Sequence, residues 1–395
     1  MMHISRRSSL AVIAAAALFG LSACGGTTND NSSSGGSGGS SGSGGSGSSA
    51  ACDLKIGFFG ALTGPAAGLG INIEKGVELA VDQYNAKNAS CQVKLVKYDS
   101  QGDATQAGPL ARKAVSDPKV IGVVGPAFSG ESEAVDPTFA QGGLPTITAS
   151  ATATDLSTKH WATFFRNLGN DASQGPGAAA YIKDTLKAKK VFVMDDATPY
   201  GKGLADIVKG KVGSAVVGTD EVQTGQTDFS ASVTKVTSSG ADVLFYGGYY
   251  PEAGPLIKQL RNAGWKGTMV VGDGVKDPGY IKAAGKAAAD GTIMTCPCLP
   301  PNLAPKSFFT DYKAKFHVDP GTYGPEAYDA ANVFLNGIKS GVKTRPDMLN
   351  YIKSYNAKGI SKQVSFTSTG ETKDIHIYAY EVKNGQIVPL NEIKY

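Results

Sequence analysis

The chain has 395 residues, of which 41% are hydrophobic and 18% are charged, so it can build a packed core and is not disordered throughout. Its length predicts two to three domains at roughly 150 residues each. Lys and Arg total 38 against 34 for Asp and Glu, and this near balance argues against a nucleic-acid-binding protein, which would carry a concentrated basic field. The four histidines are far apart and none has metal-ligand spacing to a cysteine. We therefore expect no metal site and no cofactor.

Residues 1–23 have the parts of an export signal. Two arginines supply a positive start, and Leu10–Phe19 is an apolar run too short to span a membrane. The sequence LSA then precedes Cys24. Small residues before a cysteine resemble the lipobox of bacterial lipoproteins, in which the chain is cut and the cysteine thiol is diacylated. We therefore expect Cys24 to carry a lipid; the alternative is a plain secretory signal that contains a cysteine.

Residues 24–50 are nearly all Gly, Ser, Thr and Asn after the cysteine. Such a segment has nothing to bury and behaves as a flexible coil, with a reach on the order of 25–30 Å. It predicts a tether that holds an extracytoplasmic body near a membrane surface. No other apolar stretch approaches 18 residues, so no further membrane span is predicted.

Four further cysteines follow, an even number in an oxidising compartment. Cys52 precedes the first predicted strand and Cys91 precedes the second. Neighbouring parallel strands would bring these two starts together, so we predict a Cys52–Cys91 disulfide. Cys296 and Cys298 flank a single proline, and a bridge across one residue closes a strained ring. A disulfide, a redox-labile pair and two reduced thiols all remain open for them.

Apolar strands alternate with amphipathic helices along residues 54–246. The predicted strands are 54–59, 93–98, 120–124, 144–148, 191–194, 214–219 and 243–246. The predicted helices are 72–85, 105–116, 131–139, 177–186, 204–212 and 229–238, with a Gly-rich loop at 60–70. This alternation indicates βα units and parallel sheets. Because the pattern restarts after residue 170, it predicts two successive α/β lobes.

Ligands of open α/β sheets bind at the carboxyl ends of the strands. The loops that leave those ends are rich in Ser, Thr, Tyr, Gly and Asp; they are 125–132, 148–155, 195–200, 247–251 and 272–277. They offer small hydroxyls, backbone amides and aromatic rings, without a Cys/His or Ser/His constellation. This composition favours a binding protein over an extracellular enzyme.

Several segments carry a family resemblance by their order and spacing. They include LKIGFFGALTGPAAGLGINIEKGVELAVDQYN, FYGGYYPEAGPLIKQLRNAG, GDGVKDPGYIKAAGKAAADG and VSFTSTGETKDIHIYAYEVKNGQIV. Over nearly all of residues 53–395 the chain resembles the leucine/isoleucine/valine-binding protein family, the substrate-binding proteins of branched-chain amino-acid ABC transporters. The resemblance implies an α/β fold of the type I periplasmic-binding-protein-like class, with two doubly wound lobes joined by three crossover segments.

The resemblance also implies how the chain is divided and what it does. Lobe one would comprise residues 53–170 and 299–360, and lobe two residues 171–298 and 361–395. The protein would be a monomeric, non-catalytic receptor that closes on an amino acid and presents it to an ABC transporter permease. Alternatives that stay open are an amide, urea or aromatic-acid ligand, and a sensor that reports to a separate signalling partner.

Carried over position by position, the resemblance places the ligand α-carboxylate at hydroxyls and N–H groups near helix starts. Ser129 and Thr152 would hold it, with Ser150 and Ala151 beside Thr152. Ser150 would offer its backbone carbonyl to the ligand ammonium. Simple helix capping is the alternative role of Ser129 and Thr152.

Three further positions match ligand residues of the family. Tyr200 and Tyr249 match cleft tyrosines, and interlobe packing is the alternative role of Tyr200. Asp273 stands where the family commonly has a Glu that pairs with the ligand ammonium, so the charge is kept on a shorter arm. A turn Asp before Gly is the alternative.

The side-chain pocket implied by the resemblance is uncharged, with Leu69, Ala127 and Phe128 beside Tyr249. A hydrophobic ligand side chain fits such a pocket. Phe128 is bulkier than the small residue often found there and would shrink it. One methylene more or less on a ligand usually changes its binding free energy by only about 1–3 kcal/mol. The sequence therefore does not rank Leu, Ile and Val as ligands.

Overall fold

The computed structural model describes residues 52–395. The predicted signal peptide 1–23, the predicted lipid site Cys24 and the tether 24–50 lie outside these residues. The strands are β1 Lys55–Gly60, β2 Lys94–Asp99, β3 Val120–Val124, β4 Thr146–Thr148, β5 Phe164–Arg166, β6 Val191–Asp195, β7 Val216–Glu221, β8 Val243–Gly247, β9 Thr268–Val271, β10 Ile293–Cys296, β11 Asn356–Lys358, β12 Gln363–Ser365, β13 Tyr378–Lys383 and β14 Gln386–Glu392. The helices are α1 Ala67–Lys87, α2 Ala104–Ser116, α3 Ser129–Gln141, α4 Asp171–Ala180, α5 Pro199–Val212, α6 Ser230–Ser239, α7 Tyr250–Asn262, α8 Pro278–Ala284, α9 Lys286–Ala289, α10 Lys306–Phe316, α11 Gly324–Lys339 and α12 Arg345–Ser354.

The first sheet is parallel, with the order β2-β1-β3-β4-β5. Its central strand β3, VIGVV, is buried at every residue, as expected for a parallel strand covered on both faces. Helix α11 packs along α1, and α12 packs beside β3. Arg345 at the start of α12 donates to the carbonyls of Val120 and Asp117 at 2.9 and 2.7 Å. This sheet and its helices form what we call the first lobe.

The second sheet has the order β14-β13-β10-β9-β8-β6-β7. Strands β6 to β10 run parallel, whereas β13 pairs antiparallel with β10 and β14 pairs antiparallel with β13. Strands β6 and β8 are buried at every residue. This sheet with helices α4 to α9 forms what we call the second lobe.

The chain passes between the two lobes three times: after β5, after β10 and after β12. After the third departure it stays beside β5 for several residues, because the Phe366 ring packs on Phe165 and the Gly370 carbonyl accepts a hydrogen bond from the Arg166 N–H at 2.8 Å. It joins the second sheet only at Tyr378. The segment 361–395 therefore begins beside the first lobe, and the predicted lobe boundaries stay predictions.

Several predicted boundaries differ from the structure by a few residues, and two of them are instructive. The Gly-rich stretch 60–70 is not all loop, because α1 begins at Ala67. At Gly70 a Cβ atom would collide with the backbone of Ala61, so the glycine is there for a close approach and not for a turn. Helix α4 begins at Asp171, six residues before the predicted start.

Two disulfides are present in the described residues, Cys52–Cys91 and Cys296–Cys298. In the second, Cys296 is the last residue of β10, where the chain leaves the second sheet, and both cysteines are buried. Among residues 52–395, none of the helices combines the length and the hydrophobicity that a membrane crossing requires.

Candidate functional site

A small cavity lies between the lobes, where strands of both sheets end. Its lining residues are Leu69, Ile73, Ala127, Phe128, Ser150, Tyr200, Tyr249, Asp273 and Tyr323. Its volume is about 10 Å³, the room of about one water molecule. The walls therefore touch, and the lobes are closed on one another. Seven of these nine residues belong to the predicted site, whereas Ile73 and Tyr323 do not.

A larger cavity of about 640 Å³ lies at the edge of the first lobe, beside β5. Its rim carries the exposed residues His160, Lys353 and Lys373. It contains none of the predicted site residues and no buried ionisable side chain. The interlobe cavity is the stronger candidate, because buried titratable groups converge on it.

The loops after β3 and β4 hold each other in place. Ser150 Oγ donates to the Ala127 carbonyl at 2.6 Å, and the Ala153 N–H donates to Ser129 Oγ at 3.1 Å. Ser129 begins α3, where the helix dipole gathers partial positive charge. Its hydroxyl accepts one hydrogen bond and can still donate to a ligand.

Ala151 and Thr152 lie behind this surface and do not line the cavity. The Ala151 carbonyl accepts from Arg166 Nη1 at 2.9 Å, and the Thr152 carbonyl accepts from the Asp171 N–H at 2.9 Å. The fully buried Arg166 guanidinium also pairs with Glu371, through Nε at 3.0 Å. These contacts fix the peptide orientations of the loop that carries the predicted carboxylate site.

Asp273 is the centre of a buried hydrogen-bond group. Its carboxylate accepts from the Tyr200 hydroxyl at 2.8 Å and from the Tyr323 hydroxyl, while the Gly274 N–H donates to the Tyr200 oxygen at 3.0 Å. The residue is 1% exposed. Burial raises the pKa of Asp273, and the hydrogen bonds from Tyr323 and Tyr200 oppose that rise. Two neutral donors thus hold the carboxylate, and it forms no salt bridge among the described residues.

A second acid, Asp171, lies close behind. It is fully buried, and neither carboxylate oxygen has a hydrogen-bond partner among the described residues; the same is true of Thr152 Oγ1 and Gln174 Oε1. Burial raises the pKa of Asp171 well above its ordinary value, and the charge of Asp273 adds to the rise. The unpaired Asp171 oxygens and Gln174 Oε1 are acceptors, and the Thr152 hydroxyl can donate as well as accept. The excess of acceptors suits a cationic group.

Aromatic rings close the opposite end. Phe128 meets Tyr249 edge-on with 5.3 Å between ring centroids, and Tyr200 lies 5.1 Å from Tyr249. Leu69 and Ile73 of α1 complete an uncharged wall. One end of the cavity is thus acidic and the other apolar.

Sequence reasoning missed three of these residues. Ile73 lies within the predicted helix 72–85, and nothing in the local sequence marks it as a cavity residue. Tyr323 precedes α11 with a left-handed backbone, φ 66°, and lies 50 positions from Asp273, so no local pattern joins them. Asp171 follows the helix-capping Asn170 and reads as an ordinary first-turn acid.

Within residues 52–395, no cluster of three or more His, Cys, Asp or Glu side chains has the arrangement of a metal site. The site consists of hydroxyls, backbone groups, two carboxylates and aromatic rings. Such a set suits recognition of a small zwitterion.

Comparisons with known proteins agree over most of the chain. A family model described as "Periplasmic binding protein" matches residues 53–386. The chain is 32% identical over 347 residues to the Leu/Ile/Val-binding protein BraC3 of Rhizobium johnstonii, covering 86% of this chain and 94% of that protein. It is 30% identical over 341 residues to the Leu/Ile/Val-binding protein of Escherichia coli K12, covering 83% and 90%.

A fold similar to that of this chain is found among solved structures. LivJ of Streptococcus pneumoniae, a branched-chain amino acid transporter substrate-binding protein in complex with isoleucine, superposes with a TM-score of 0.79. The two sequences are 29% identical, and the match covers 85% of this chain and 99% of that chain.

Proposed function

Because the chain belongs to the periplasmic binding protein family, we propose that it captures branched-chain or other hydrophobic amino acids between its lobes for an ABC importer. The predicted type I fold and the family resemblance are confirmed. The family works outside the cytoplasm, and there the protein delivers its ligand to a membrane permease.

The observation that carries the proposal is the buried Asp273 carboxylate with only neutral donors around it. A ligand ammonium at this position supplies the missing positive charge in a water-poor site, where a charge-assisted pair is strong. The Ser150 carbonyl adds an acceptor on the same side, whereas Thr152, expected to hold the carboxylate, does not line the cavity. Because Asp171 lies behind Asp273, the ammonium is favoured there over any neutral group.

The other two parts of an amino acid follow from this placement. The α-carboxylate points to Ser129 at the start of α3, away from the two acids and toward the positive end of the helix dipole. The side chain lies against Leu69, Phe128 and Tyr249. This arrangement accepts an apolar side chain and disfavours a charged one, which would lose its hydration without a partner.

Ligand binding shifts the protein toward the closed arrangement of its lobes, and the permease reads that arrangement. The predicted cleft residues provide binding contacts and no nucleophile–base pair, so we propose a receptor without catalytic activity. A candidate ligand should therefore be recovered chemically unchanged after prolonged incubation, as checked by NMR.

We also propose that the protein is a monomer held at the membrane by a lipid on Cys24. The signal-like residues 1–23 and the Gly/Ser-rich segment that follows support this anchor. Metabolic labelling with a fatty acid should mark the wild type and leave Cys24→Ala unlabelled. Equal labelling of the variant would contradict a lipid on Cys24.

A ligand screen tests the central proposal. The protein is unfolded and refolded to remove bound ligand, then melted with each common amino acid and with amine-free and amide analogues. A ligand at 100 times its Kd should stabilise the fold by about 2.7 kcal/mol. We expect stabilisation by Leu, Ile or Val. Stabilisation by amine-free compounds alone would overturn the proposed ligand class.

A further inference from the structure

The mouth of the cleft is closed by contacts that do not line the ligand cavity. Tyr250 at the start of α7 donates its hydroxyl hydrogen to the Pro65 carbonyl at 2.7 Å. The same oxygen accepts from the Gly68 N–H at 3.3 Å. Pro65 and Gly68 belong to the first lobe and Tyr250 to the second, so one phenol joins the two lobes at the start of α1.

A second group of bridging contacts lies beside it. Lys276 Nζ donates to Thr322 Oγ1 at 3.2 Å, and the Thr322 hydroxyl donates to the Lys276 carbonyl. The Lys276 ammonium lies 4.2 Å from the centre of the Tyr380 ring, and the residue is buried. Asn72 Nδ2 reaches Asp277 Oδ2 at 3.4 Å. Loop 273–277 of the second lobe is therefore tied to the first lobe at several points.

The tightest approach across the mouth is at Gly68. A Cβ atom on Gly68 would lie 2.8 Å from both carboxylate oxygens of Asp277, closer than a side chain tolerates. Asp277 is not free to turn away, because Oδ1 caps α8 by accepting from the Gly279 N–H at 2.7 Å. Gly68 itself lies inside α1, where alanine is the better helix former. An alanine at position 68 would favour the helix and would conflict only with closure of the two lobes.

We propose that these interlobe contacts form a latch that sets how long a bound ligand stays in the cleft, although they touch no part of the ligand. The latch residues are Pro65, Gly68, Asn72, Tyr250, Lys276, Asp277 and Thr322. The proposal rests on the proposed function, since it assumes a ligand held between the lobes. The latch residues act as positioning residues.

The physical reason is a population shift. Ligand affinity depends on the intrinsic contacts and on the fraction of protein that can close. Latch contacts exist only in the closed arrangement, so weakening them speeds reopening and leaves the first encounter unchanged. Since the latch does not contact the ligand, every ligand should lose affinity by the same factor.

The test is Gly68→Ala in the full chain, with Gly210→Ala as the matched control. Gly210 also lies in a helix, α5, and a Cβ there would meet nothing within 4 Å. Gly68→Ala should raise the ligand dissociation rate roughly 10- to 100-fold, the range expected for one overpacked contact. The association rate and the Leu-to-Val affinity ratio should stay unchanged, and Gly210→Ala should match the wild type in all three.

A second substitution separates the latch from a general structural defect. Glycine is also acceptable at a helix N-cap, so Asp277→Gly removes the obstructing carboxylate while α8 is retained. In that background Gly68→Ala should cause no further change in the dissociation rate. If Gly68→Ala raised the dissociation rate in the Asp277→Gly background as much as it does in the wild type, the Gly68–Asp277 contact would not be the cause.

The latch stays distinguishable from the proposed function because it does not depend on the ligand class. If the screen finds only an amine-free ligand, the proposed function fails, and the dissociation rate of that ligand from wild type, Gly68→Ala and Gly210→Ala still decides the latch. Equal dissociation rates in all three would overturn the latch.

Discussion

Replacing Asp273 by Asn removes one charge from the centre of the site and changes little else. The carboxylate is 1% exposed and accepts hydrogen bonds from two phenols. Asn keeps the shape and one accepting oxygen. An amino-acid ligand would then bury its ammonium without a direct counter-charge, which typically costs 2–5 kcal/mol. At about 1.4 kcal/mol per factor of ten, the Kd for leucine should rise about 30- to 4,000-fold.

In the ligand-free protein the same substitution should leave the stability unchanged or increase it. Burial raises the pKa of Asp273, which means that the folded state disfavours the charge. Without ligand, Asp273→Asn should therefore unfold at the same temperature as the wild type or a higher one. Loss of affinity without loss of stability distinguishes a ligand contact from a structural residue.

Titration calorimetry with leucine and with its amine-free analogue, 4-methylpentanoate, measures the effect. The analogue has no ammonium that could lose its partner, so it should bind the variant at least as tightly as it binds the wild type. In the wild type, leucine affinity should fall as the pH is lowered through the raised pKa of Asp273, since only the ionised carboxylate pairs with the ammonium. The variant should lack that dependence.

Asp319→Asn is the matched control, because its side chain is 60% exposed and its ion pair with Lys313, at 2.9 Å, is on the surface. Such pairs contribute little, so leucine affinity should not change. If Asp273→Asn bound leucine as tightly as the wild type, Asp273 would not be the ammonium site. Asp171 would then be the remaining acid to test.

Three further predictions concern the pocket, the pH response and the disulfide. Phe128→Ala should improve the affinity for Phe relative to Val by about 1–3 kcal/mol, because it removes the ring against Tyr249; an unchanged Kd ratio would contradict this role. Burial raises the pKa of Glu131 from 4.5 to about 7, so the folded state binds the proton more tightly. This group's contribution to stability is full below pH 4.5 and falls by about 3 kcal/mol as the pH rises to 7. In Glu131→Gln the free energy of unfolding in urea should change little between pH 4.5 and pH 7. An equally steep loss in the variant would refute the raised pKa of Glu131. Replacing Cys52 and Cys91 by Ser should lower the free energy of unfolding by about 4 kcal/mol, from the 39-residue separation and loop entropy; a change below about 1 kcal/mol in urea unfolding would count against it.

The order of strands and helices could be predicted because each signal is local. Strand β3 has the predicted bounds 120–124, since an apolar run between a turn and Gly-Pro has few alternatives. The start of α1 could not be predicted, because Gly68 and Gly70 resemble loop residues. Their role appears only when Asp277 and Ala61 are placed against them. Contacts with distant parts of the chain therefore determine the start of this helix, which the local sequence pattern does not predict.

The candidate site divides in the same way. Loops at strand ends supply Ser129, Ser150, Tyr200, Tyr249 and Asp273, and the rule for open α/β sheets identifies such loops from strand prediction alone. The structure gathers four of these five around one cavity and places Ser129 beside it. Whether they bind ligand stays a prediction, since position alone does not measure affinity.

The positions of the charged side chains indicate how a ligand would be oriented in the cleft. Asp171 and Asp273 place two acidic side chains at one end; Tyr200 and Tyr323 donate to Asp273, and neither Asp171 oxygen has a hydrogen-bond partner among the described residues. A negative group placed beside Asp273 would be repelled, so we propose that a ligand carboxylate lies away from it, toward Ser129 and the start of α3, and that the side chain lies at the apolar end. A molecule with an ammonium and a carboxylate a few ångströms apart suits these two positions. An aromatic acid satisfies one end and leaves the acidic one without a cation, so the layout favours an α-amino acid over an amine-free ligand.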